Sequence, residues 1–97
     1  MLYNDKNKDV IEKVYSIENL RKEILRKKNE IKERNRIRVK MAEQYYNDGF
    51  LNASKGLFEK SLKICQEQHW KEGINYASKM IEEINDKIDA FNKTHKS

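Results

Sequence analysis

The chain contains no proline, only three glycines and a single cysteine. Without proline nothing in the 97 residues forbids helix outright, and the one strong turn signal is Asn47-Asp48-Gly49. A lone cysteine, Cys65, excludes an intrachain disulfide and with it the stapled class of small secreted domains. No apolar run approaches the roughly 20 residues needed to span a bilayer. Met1 to Asp9 has no hydrophobic stretch, so no signal peptide is expected. The expectation is an intracellular, reducing setting: cytoplasmic, or nuclear in a eukaryote. Glycine-rich phosphate loops, a serine elbow and the HExxH pattern are missing as well. The chain is therefore read as non-enzymatic, with no catalytic residue, cofactor or metal.

Apolar side chains are also scarce. They make up 37% of the sequence against 38% charged, where about 25% charged is usual. Such a chain builds a seam between helices, too thin to enclose an ordinary substrate pocket. One small domain, residues 1–97, is expected. Its stability is marginal unless a partner or a second copy adds contacts.

The turn at residues 47–49 divides two arms. The first is expected over about 9–46, with residues 1 to 7 frayed and Asn7 or Asp9 as cap, Glu12 completing a capping box with Asp9. Val10, Ile17, Ile24 and Ile31 recur every seven residues, with Leu20 and Met41 on the neighbouring seam position. The same frame puts Lys27, Arg34 and Arg38 on the seam, which a dry coiled coil does not tolerate. The second arm, about 50–93, carries two apolar stripes: Leu57, Phe58, Leu62 and Cys65, then Ile74, Ala77, Ile81, Ile84, Ile88 and Phe91. The stripes drift out of phase between Gln66 and Gly73. Either the arm is one long helix, or it breaks near residues 66–69 and Trp70 opens a third helix. The break is preferred, because Trp70 would then open a new helix and cover the seam. Gly73 weakens a helix by only about 1 kcal/mol and does not decide the matter. Residues 94–97 read as a loose tail.

Residues 21–40 hold ten basic and three acidic side chains, a local balance of +7, while the remainder of the chain sums to −2. The plainest reading is a solvated helix face, with Glu23 to Lys27 and Glu30 to Arg34 in the favourable i,i+4 order. The same concentration of charge suits phosphate, an anionic lipid surface or an acidic protein. For a nucleic acid, Lys27, Lys28, Lys32, Arg34, Arg36 and Arg38 would make the phosphate contacts. The cations surround the helix, and no aromatic lies between residues 16 and 44 to stack bases, so phosphate contact without sequence readout is the most this stretch supports.

Cys65 and His69 stand four apart on one expected helical face, but a metal site needs more ligands and His95 falls in the tail. They read as a buried thiol beside a partly exposed imidazole. Glu82, Glu83, Asp86 and Asp89 form an acidic patch that an antiparallel fold would set toward the start of the first arm. Most of the aromatics Tyr45, Tyr46, Phe50, Phe58, Trp70 and Tyr76 are expected in the core.

Two family resemblances cover roughly residues 34–86. Gly49-Phe50, Ala53, Phe58-Glu59-Lys60-Ser61-Leu62 and Trp70 resemble a single tetratricopeptide-like helical hairpin. The spacing from Ala53 to Leu62 is one residue longer than in that pattern and the terminal proline is missing. Arg34-Asn35, Ala42, Tyr46, Gly49, Ala53, Lys55, Asn75, Ala77, Ile81 and Asn85 are similar in order to the helical domain that precedes Smr domains in some nucleic-acid-processing proteins. That resemblance implies a long helical hairpin with an accessory role near nucleic acid. The second arm here is about one helical turn longer, and the family's central serine, glycine and histidine positions are out of register.

The sequence thus predicts an all-α fold: an antiparallel helical hairpin of two long arms, the second broken or not into a three-helix bundle. The function expected is binding of a partner protein or of a second copy through Ile17, Leu20, Ile24 and Ile31. Nucleic-acid binding by the basic helix is the alternative, and a membrane role is not expected.

Overall fold

The computed structural model describes residues 2–94, with side chains described for 16–94. The described residues form three α-helices and no strand: α1 Leu2–Asn47, α2 Leu51–Gln68 and α3 Lys71–Thr94. None is long and apolar enough to cross a membrane. The chain divides into two compact units at Glu33/Arg34.

The start of α1 differs from expectation. It begins at Leu2, so Asn7 and Asp9 lie inside the helix and not at its cap. A capping signal sets a boundary only where the residues before it resist helix, and here neither glycine nor proline precedes it. The side chains of Val10, Asp9 and Glu12, and all of His95, lie outside the described residues.

Both helix ends that flank α2 close in the same way. Gly49 has φ +87°, donates to the Tyr46 carbonyl at 3.2 Å, and Phe50 N–H donates to the Tyr45 carbonyl at 2.8 Å. This is a Schellman motif with glycine at its left-handed residue. Its apolar contact is the edge-to-face pair of Tyr45 and Phe50, 6.1 Å between ring centres. The end of α2 repeats the pattern. His69 is left-handed at φ 60°, its N–H reaches the Gln66 carbonyl at 3.3 Å, and Trp70 N–H reaches that of Cys65 at 2.9 Å. The second arm is therefore two helices, and Trp70 stands immediately before α3.

The core lies within the unit that starts at Arg34. Ala42 of α1, Phe58 of α2, and Met80 and Ile84 of α3 form its centre, with Val39, Tyr46, Leu51, Leu57, Ile81 and Ile88 packed around them. The buried face of α2 is Ser54, Phe58, Ser61 and Cys65, spaced four, three and four. The expected stripe is thus rotated: Leu57 and Leu62 are only half-buried, and two serines take the inner positions. The Ser54 hydroxyl donates to the Ala42 carbonyl at 2.7 Å, which satisfies it and pins α2 to α1. Of the aromatics expected inside, only Phe58 is fully buried, whereas Phe50 is 61% exposed. Phe91, read as the end of the second stripe, is exposed too.

Candidate interaction surfaces

Within residues 16–33, α1 is exposed almost throughout. Ile17 is 51% exposed, Leu20 60% and Ile24 53%; Ile31 is half-buried. Leu25 is 60% exposed as well. It stands off the seven-residue repeat, so periodicity did not single it out, yet it widens the apolar surface. Scattered exposed apolar residues are ordinary; here four fall within nine residues of one helix.

The cations of this helix share that exposure. Lys27, Lys28, Lys32, Arg34 and Arg36 are exposed, and Arg38 is half-buried. Glu23 pairs with Arg26 at 3.1 Å and not with Lys27 in the order expected. Both partners are well solvated, so the pair adds little to stability.

Beside the apolar core, α1 and α3 also make polar contacts. Tyr76 donates to the Glu43 carboxylate at 2.5 Å and packs edge-on against Phe58 at 5.9 Å. Tyr46 donates to Glu83 at 3.4 Å, and the Lys87 ammonium lies 4.2 Å from the centre of the Tyr46 ring. Glu83, expected toward the start of the first arm, meets Tyr46 in the last turn of α1, because the break at His69 sends α3 on a course that a single long helix would not take. Burial, the bond to Glu43 and the charges of Glu43 and Glu83 push the Tyr76 hydroxyl up to about 12.

Cys65 and His69 do not share a helical face. Cys65 is buried, while His69 caps the helix, exposed. The thiol meets the Asn35 amide at 3.6 Å and the Ser61 hydroxyl at 4.0 Å. Among the described residues no group of three or more His, Cys, Asp or Glu side chains could hold a metal ion. Comparison with protein-family models, with curated proteins and with solved structures finds no match to this chain.

Proposed function

We propose that this chain is a non-enzymatic helical interaction module. In this reading α2, α3 and the last turns of α1 close as a small three-helix bundle, and Ile17, Leu20, Ile24 and Ile31 bind a partner protein or a second copy by helix-on-helix burial. The observation that carries the reading is the exposure of Ile17, Leu20 and Ile24, each more than half in water. Fully burying such a side chain is worth about 1.5–3 kcal/mol, and each of these is only about half exposed, so covering it contributes roughly half of that.

The second reading places a nucleic-acid phosphate backbone on Lys27, Lys28, Lys32, Arg34, Arg36 and Arg38. It is supported by the exposure of most of these cations and by the +7 balance of residues 21–40.

One pair of variants separates the two. Ile17→Asp/Ile24→Asp should abolish self-association in light scattering, or loss-free co-purification with a defined partner, while the unfolding free energy stays within about 0.5 kcal/mol of wild type, as expected for surface positions. Lys27→Gln/Lys28→Gln/Arg34→Gln should leave that association intact. If RNA or DNA binding falls steeply with salt and disappears in the triple variant, the phosphate reading replaces the first. Indifference of all association to both variants removes both readings.

A further inference from the structure

The unit that starts at Arg34 carries an exposed surface beside its core, on positions that continue the seven-residue frame of α1 past Ile31. Arg34, Ile37, Arg38 and Met41 fall at i, i+3, i+4 and i+7 on one face of α1, and with Leu57 of α2 they line a shallow groove. Ile37 is 48% and Met41 47% exposed, while Leu57 backs the groove against the core. The walls are apolar, the charges are two arginines, and no carboxylate lines the groove. Arg38 is half-buried, and its Nη1 is shut off from solvent without a hydrogen-bond partner among the described residues. That guanidinium has lost part of its hydration and gained no counter-charge. An uncompensated, partly buried cation is costly. A carboxylate brought into the groove offsets that cost through its charge, and the apolar walls strengthen the attraction. The planar fork of arginine also matches a carboxylate in two-point fashion.

We propose that this groove receives an amphipathic helix of another protein, which sets a Glu or Asp carboxylate on Arg38 between apolar side chains that cover Ile37, Met41 and Leu57. The groove continues the same seven-residue frame but contains none of residues 17–31, so it is tested without them. A phosphate would satisfy the same fork. It would leave Ile37 and Met41 uncovered, however, and no aromatic lines the groove to stack a base.

The probe is a capped helical peptide with leucines at i and i+7 and a glutamate at i+4, titrated into the full chain with its Ile, Leu and Met methyls observed by NMR. Saturable shifts are expected at Ile37, Met41 and Leu57, with the Glu→Gln peptide binding at least about tenfold more weakly, a difference of about 1.4 kcal/mol. Arg38→Met keeps an unbranched stem and should erase that preference. Should Arg38→Met unfold, Arg38→Lys serves instead: it keeps the charge, loses the fork, and should weaken the Glu peptide selectively. Equal affinities for the two peptides, shifts confined to other methyls, or a preference that survives both variants overturns the proposal. So does a short RNA that moves the same methyls at lower concentration than the Glu peptide, which would assign the groove to nucleic acid.

Discussion

Gly73 sets how closely α3 can begin beside the end of α2. A Cβ built there would lie 2.5 Å from Cys65 Sγ and 3.5 Å from its Cβ. Read from sequence, this glycine looked like a small loss of helix propensity; in the fold it is the space into which a buried thiol projects. Cys65 has little room to yield, being 1% exposed and in contact with Asn35 and Ser61. Gly73→Ala should gain about 1 kcal/mol of helix propensity and lose about 1–3 kcal/mol to overpacking, a net destabilisation in urea unfolding. In a Cys65→Ala background the same change should be neutral or stabilising. A double-mutant cycle with coupling below about 0.5 kcal/mol would show that the two residues do not meet. Sequence could not show this, because a glycine chosen for close approach looks the same as one merely tolerated.

At the scale of the elements, α1 and α3 are joined through Tyr76 and Glu43, and this contact has a pH signature. The folded-state pKa of Tyr76, about 12, lies above the unfolded value of about 10. The folded state therefore holds the proton more tightly. The resulting stability is fully present below pH 10, declines between about pH 10 and 12, and is absent above that. The gap in stability between wild type and Tyr76→Phe should narrow across this window and be constant below it. Ultraviolet titration should find one tyrosine of the wild type ionising late, and that late step should vanish in Tyr76→Phe. The loss of phase between the two stripes of the second arm marked where a break could fall, but left one helix or two open, with Trp70 as the reason to prefer two. The contact itself was not legible, because two residues 33 apart become neighbours only through the way α3 sets off after His69.

For the molecule as a whole, the scarcity of apolar side chains has its consequence in the core. Its centre is four residues, Ala42, Phe58, Met80 and Ile84, and among the residues whose side chains are described Phe58 is the only aromatic wholly removed from water. Phe58→Ala should cost about 3–5 kcal/mol, against a total of about 5–15 kcal/mol for a chain of ordinary stability. Circular dichroism should then show a midpoint shifted to far lower urea. Retention of the wild-type midpoint would mean that the core closes without Phe58.

The sequence by itself determined that the protein is helical, that it turns at Gly49, and that residues 21–40 concentrate its positive charge. These follow from local properties: the lack of proline, a glycine where a left-handed residue is needed, and the order of charges along the chain. Only the tertiary structure decided which faces are inside. Ser54 and Ser61 are buried while Leu57 and Leu62 stand at the margin, and Phe50 and Phe91 face water. Burial depends on what stands opposite a side chain. Where helices approach closely, small residues such as Ala42, Ser54, Ser61 and Gly73 occupy the contact because they leave room, a property that hydrophobic periodicity does not record.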